Sequence, residues 1–146
     1  MAIKVMHHVS VVVEDLPAAI GFFKALGMAV EGKAPIEGPW VDRINGIKGL
    51  KVDIVMMRTP DGHGRLELTK FRRPKLVRMK PAVPPPNAPG LRSVMFEVDN
   101  LDKTVAHLRA KGAELVGEVA EYENIYRLCY VRGPAGIIVA LAETLS

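Results

Sequence analysis

The stretch HVSVVVEDL at residues 8–16 recurs without a gap as SVMFEVDNL at residues 93–101. The match continues through an amphipathic helical pattern to Gly27 in the first copy and to Gly112 in the second. Each copy therefore indicates a strand, an acidic turn, a helix and a glycine that ends the helix. Two copies of one small unit commonly enclose a shared site, so the repeat bears on function as well as on fold.

Further strands are predicted after each helix, because short β-rich runs alternate there with glycine and proline turns. In the first copy the predicted strands cover about residues 5–13, 29–34, 51–58 and 64–71. In the second copy they cover about residues 93–98, 114–120, 126–131 and 137–142. The segment 35–50 is expected to be a long loop with one helical turn. The chain is thus expected to be an α+β protein with two tandem βαβββ modules, at residues 1–72 and 91–146, joined by a proline-rich linker at residues 73–90.

Composition excludes several classes of protein. The chain has 146 residues, of which 49% are hydrophobic and 25% charged, and it contains one cysteine. No apolar run approaches the roughly 18 residues that a membrane span needs, and no signal peptide is evident. We therefore expect a cytoplasmic protein without disulfides or membrane contact. The net charge of +4 is concentrated in residues 70–80. With only 5% aromatic residues for base stacking, a solvated linker is favoured there over a nucleic-acid partner.

Side-chain alternation assigns the two faces of the first module's sheet. The uniformly apolar side of the first strand, which carries Val11, should pack under the helix. His8 therefore faces the opposite side. On the strand at residues 64–71, Leu66 and Leu68 should also lie under the helix, which places Glu67 on the same side as His8. A carboxylate in a half-apolar groove is costly to desolvate, so Glu67 needs a cation, a metal or water as partner.

These residues resemble the vicinal oxygen chelate superfamily of glyoxalases, bleomycin-resistance proteins and extradiol dioxygenases. The resemblance is carried by the repeated stretch, by the strand RLEL at residues 65–68 and by the ending RGPAGIIV at residues 132–139. Members of this superfamily pair βαβββ modules into an open curved sheet around a cavity, often as homodimers. Metal-dependent members bind a divalent cation through the first and last strands of each module.

The resemblance implies that His8 and Glu67 bind a divalent metal ion (zinc, nickel, manganese or iron). At the corresponding positions of the second module stand Ser93 and Ala140, and an alanine cannot ligate a metal. A third ligand could come from Glu97 or from the acidic run at residues 118–123. A structural ion pair between Arg65 and Glu67 is the alternative interpretation of the site.

The implied function is metal-assisted isomerase, epimerase or lyase chemistry on a small molecule with two neighbouring oxygens. Glu67 and Glu97 are the expected proton-transfer groups. Five residues are expected to contact the substrate: Trp40, Arg65, Ser93, Met95 and Tyr126. The alternative is a drug- or metabolite-binding protein of the bleomycin-resistance type without a metal. A dioxygenase is disfavoured because the second histidine of its iron site is missing.

Overall fold

The computed structural model describes residues 2–145, and the chain divides into two compact units between Arg78 and Met79. This boundary lies inside the segment 73–90 predicted as a linker, and the module bounds themselves stay a prediction. Each unit contains one four-stranded mixed sheet packed with helix. The predicted α+β class is therefore confirmed. No helix within residues 2–145 is long and apolar enough to cross a membrane.

The first unit has four strands in the order β1-β4-β3-β2. Strand β1 is parallel to β4, and the other neighbours are antiparallel. Its elements are β1 (Val9–Val12), α1 (Leu16–Ala25), β2 (Ala29–Glu37), α2 (Pro39–Asn45), β3 (Lys51–Arg58) and β4 (Arg65–Arg73).

The second unit repeats this arrangement, with strands in the order β5-β8-β7-β6 and with β5 parallel to β8. Its elements are β5 (Ser93–Glu97), α3 (Leu101–Ala110), β6 (Ala120–Tyr122), β7 (Tyr126–Arg132) and β8 (Ile138–Thr144). A short 3-10 turn at Pro134–Gly136 precedes β8. The internal repeat of the sequence is thus a repeat of topology.

The two long helices begin and end in the same way. The side chain of Asp15 accepts a hydrogen bond from the Ala18 amide at the start of α1. The side chain of Asn100 accepts one from the Lys103 amide at the start of α3. Such caps satisfy amides that have no partner within the helix. Gly27 and Gly112 follow the helices with φ of +106° and +93°, a conformation that favours glycine.

The apolar cores lie where side-chain alternation places them. Val11, Leu66 and Leu68 are buried in the first unit together with Phe23 of α1. In the second unit Val139 and Leu141 are buried together with residues of α3, namely Leu101, Val105 and Leu108. The opposite side of β1 is left exposed at Ser10 and Val12. This exposed face of the first sheet carries the polar groups described below.

Three predicted segments differ in the structure. Strand β1 begins only at Val9, where its pairing with Leu66 of β4 starts, and residues 5–8 are not in a strand. The segment predicted as a loop contains the helix α2, which a separate apolar cluster around Val41 and Leu50 holds in place. The strand predicted at residues 114–120 is wrong. Leu115 makes only an isolated bridge, and β6 covers Ala120–Tyr122.

Candidate functional site

A polar cluster lies on the exposed face of the first sheet, at the start of β1. Ser10 of β1 is in register with Glu67 of β4, and His8 immediately precedes β1. His8 Nε2 lies 3.7 Å from Glu67 Oε2, with 30% and 22% of the two side chains exposed. The structure therefore brings together the two residues that the sequence singles out, in a position that solvent can reach.

Two hydroxyl groups fix the carboxylate of Glu67. Ser10 Oγ and Thr69 Oγ1 each donate a hydrogen bond to Glu67 Oε1, both at 3.2 Å. Thr69 is buried, with 6% of its surface exposed, so this donor is held in place by its surroundings. Because Oε1 accepts both bonds, Oε2 is the oxygen that faces His8. Such outer partners orient a ligand carboxylate in metal sites.

The other ring nitrogen of His8 contacts His7. The two Nδ1 atoms are 2.7 Å apart, so one ring donates its N–H to the other. If His8 is the donor, its Nε2 carries a lone pair directed toward Glu67, as a metal ligand requires. Sequence alternation did not predict this contact, because it places neighbouring residues such as His7 and His8 on opposite sides of a strand.

Arg65 does not pair with Glu67. Its Nε donates to both carboxylate oxygens of Glu31, at 3.0 and 3.2 Å. The hydrogen bond from Arg65 holds the pKa of Glu31 below its ordinary value, and the charges of Arg58 and His7 contribute in the same direction. The Arg65–Glu67 ion pair weighed from the sequence is therefore not formed. Glu31 lies at the irregularity of β2 between Val30 and Gly32. No pattern in the sequence predicted this irregularity.

The remaining predicted site residues lie apart from this cluster in the chain. Trp40 belongs to α2 and is 54% exposed. Ser93, Met95 and Glu97 lie on β5 of the second unit, and all three are exposed. Tyr126 of β7 stacks on Tyr122, with ring centroids 5.7 Å apart. Their roles in binding or proton transfer stay predictions.

The donor set of His8 and Glu67 fits a divalent metal ion of the first transition series. Imidazole nitrogen and carboxylate oxygen are ligands for zinc, nickel, manganese and iron. Two donors about 2.1 Å from one ion are separated by about 3.4 Å at a tetrahedral angle. His8 Nε2 and Glu67 Oε2 are 3.7 Å apart, so the two atoms would have to move only slightly closer to bind one ion. Within residues 2–145 no group of three or more His, Cys, Asp or Glu side chains is arranged to hold a metal ion.

An open cleft of about 770 Å³ lies elsewhere in the first unit, at the start of α1. Its lining includes Glu14, Asp53 and Lys70 and none of the predicted site residues. Lys70 Nζ donates to the backbone oxygen of Glu14, and the Glu14 carboxylate pairs with Arg78. Arg72 pairs with Asp53. Two basic residues of the segment 70–80, Arg72 and Arg78, thus have acidic partners inside the unit, and we assign the cleft no chemistry.

Comparison with known proteins places this geometry in context. A family model described as the Glyoxalase/Bleomycin resistance protein/Dioxygenase superfamily matches residues 5–141. The crystal structure of a glyoxalase family protein from Bacillus cereus is 47% identical, with a TM-score of 0.95 over 100% of this chain and 97% of that chain. No curated protein matches the chain significantly.

More distant solved structures share the fold. A glyoxalase family protein from Enterococcus faecalis is 21% identical, with a TM-score of 0.63 over 96% of this chain and 98% of that chain. An antibiotic-binding protein from a Streptomyces species is also 21% identical, with a TM-score of 0.60 over 99% and 98% of the two chains. At this identity the likeness shows the fold alone.

Proposed function

Because this chain belongs to the Glyoxalase/Bleomycin resistance protein/Dioxygenase superfamily, we propose that it binds a divalent metal ion through His8 and Glu67. We assign the chain isomerase, epimerase or lyase chemistry on a small molecule with two neighbouring oxygens, which the ion would assist. One observation carries the proposal. His8 Nε2 and Glu67 Oε2 lie 3.7 Å apart, while two hydroxyls hold the other oxygen of the same carboxylate.

The residues of the candidate site have different roles in this proposal. When bound, the ion would polarise the substrate oxygens and stabilise the negative charge that develops on them. His8 and Glu67 would hold the metal ion. Ser10 and Thr69 keep the carboxylate of Glu67 in one orientation. Glu67 is the carboxylate we assign to accept and return the proton of the carbon next to the substrate carbonyl, and Glu97 on β5 of the second unit is a second candidate for this role.

Metal analysis tests the proposal. Protein purified without chelator is expected to contain one of zinc, nickel, manganese or iron, or to bind it in a calorimetric titration. His8→Ala and Glu67→Gln should each weaken binding of the metal by at least tenfold, because each removes one of two protein ligands. His63→Ala and Glu37→Gln change the same residue types at exposed positions of the same unit and should leave affinity unchanged. Equal metal content in all five proteins would refute the assignment.

A metal-free binding protein is the second candidate, and the second sheet favours it. Ala140 takes the register position between Met95 and Tyr130 on neighbouring strands. Met95 and Tyr130 are 55% and 39% exposed. Met95 and Tyr130 thus offer apolar and aromatic surface beside Ala140, at the position where the first unit has the carboxylate of Glu67. Binding of metal-free bleomycin in the presence of EDTA, measured by calorimetry, would support this candidate. Absence of binding together with stoichiometric metal would exclude it.

We also propose, on the family resemblance, that the protein is a cytoplasmic homodimer. Sedimentation equilibrium of the purified protein tests the dimer, since a dimer has twice the chain mass of 15.9 kDa. Fractionation of the source cells tests the location.

A further inference from the structure

Arg65 stands beside the candidate metal ligands on the same strand. Arg65 and Glu67 are two residues apart on β4, and their side chains leave the same side of the sheet. Two residues of an extended strand span about 7 Å. The Arg65 side chain is 32% exposed, so its guanidinium is open to a ligand on this face of the sheet.

Glu31 holds the guanidinium of Arg65 in a fixed orientation. Both oxygens of Glu31 accept from Nε. Within residues 2–145, no further hydrogen-bond partner of the Arg65 side chain is found. The two terminal nitrogens are therefore available as a pair of parallel donors, which is the geometry that a carboxylate or phosphate group matches.

Positive charge exceeds negative charge around Glu31. Arg58 is in register with Arg65 on the neighbouring strand, and both guanidiniums act on the one carboxylate of Glu31. Arg58 is exposed. The single carboxylate of Glu31 neutralises only one of these two cations, so an anionic group of a ligand has a cation to pair with.

We propose that Arg65 binds an oxyanion group of the substrate, positioned by Glu31 and assisted by Arg58. The substrate class is then a small molecule that carries two neighbouring oxygens and, on a separate part of the molecule, a carboxylate or a similar anion. This inference rests on the proposed function, because the neighbouring oxygens are those that the metal site would bind. It assigns Arg65 a contact with the substrate and Glu31 a positioning role.

Two hydroxamates test this substrate class by calorimetry on the zinc-loaded protein. Acetohydroxamate has the two neighbouring oxygens alone, and succinic acid monohydroxamate adds a carboxylate on a two-carbon spacer. The wild type should bind the second probe about tenfold more tightly, as expected for a charge-assisted hydrogen-bonded pair. Added salt should reduce this preference.

Variants of Arg65 identify the group responsible. In Arg65→Gln the ratio of the two affinities should fall toward one, and in Arg65→Lys it should take an intermediate value, because lysine keeps the charge without the paired donors. Glu31→Gln should lower the ratio less than Arg65→Gln does. Arg72→Gln, on the same strand, is the matched control and should keep the wild-type ratio.

The outcomes separate the two proposals. A wild-type ratio near one, or a tenfold ratio that persists in both Arg65 variants, overturns the anion site and leaves the metal site standing. If neither hydroxamate binds the zinc-loaded wild type, the proposed function fails and the anion site fails with it. Thermal melting of each variant shows whether the chain is folded, and Arg65→Lys decides the matter if Arg65→Gln does not fold.

Discussion

Glu67 and Ala140 occupy the same register position in the two sheets. Glu67 of β4 pairs with Ser10, two residues after His8, and Ala140 of β8 pairs with Met95, two residues after Ser93. The register thus gives the same correspondence as the repeat in the sequence. The first unit has kept an acid at this position, and in the second unit the position is apolar and 1% exposed.

Restoring the acid in the second unit should destabilise the protein. Ala140→Glu buries a carboxylate between the in-register neighbours Met95 and Tyr130, and we expect a loss of about 2 kcal/mol or more in the free energy of unfolding. Urea denaturation followed by circular dichroism measures the loss. Ala120→Glu, at an exposed position of β6, is the control and should change stability by about 0.5 kcal/mol at most. Equal stability of the two variants would show that position 140 accommodates charge.

The hydroxyl of Thr69 should matter for metal binding. Thr69→Val removes one of the two donors to Glu67 Oε1 and keeps the shape of the side chain. Loss of an outer partner of this kind lowers metal affinity by about tenfold or more. Thr69→Ser retains the hydroxyl and should stay close to the wild type. Titration with zinc against a competing chelator gives both affinities. Identical affinities for the valine and serine variants would mean that Ser10 alone orients the carboxylate.

His7 should act through the orientation and protonation of His8. A histidine that binds a metal usually donates its second ring N–H to a partner, and the Nδ1 of His7 lies 2.7 Å from the Nδ1 of His8. His7→Phe keeps a ring but removes the acceptor, and we expect about a tenfold loss in zinc affinity. His7→Asn supplies an acceptor oxygen and should recover part of it. His63→Ala controls for the loss of an imidazole elsewhere. Wild-type affinity in His7→Phe would remove His7 from the site.

The sequence predicted those parts of the molecule that periodicity and repetition encode. The strand–helix order, the glycines that end the helices and the shared side of His8 and Glu67 follow from patterns within the chain. Glu31 and His7 could not be predicted in this way. Glu31 lies at an irregularity of β2, and His7 contacts its sequence neighbour His8, whereas alternation places neighbouring residues on opposite sides.

Helix α2, in the segment predicted as a loop with one helical turn, is longer than predicted because its residue types do not favour a helix. Its seven residues lie between glycines and prolines, which are typical of loops. Its stability comes from tertiary contacts. Val41 and Leu50 are buried together with Val52, and Asp42 accepts hydrogen bonds from the amides of Gly49 and Leu50. The residue pattern of the helix itself gives no information about these contacts with residues 49–52.

Gly136 offers a test of backbone constraint in the turn before β8. Its φ is +73°, and a Cβ there would lie 3.0 Å from the backbone oxygen of Ala82. Gly46, which ends α2 with φ of +68°, has open space around the same position. Both alanine variants pay for the left-handed conformation, about 1 kcal/mol each. Gly136→Ala must in addition displace a neighbouring backbone, so we expect it to lose about 2 kcal/mol or more. Urea denaturation compares the two, and equal losses would mean that the chain around Ala82 yields to the added methyl group at no cost.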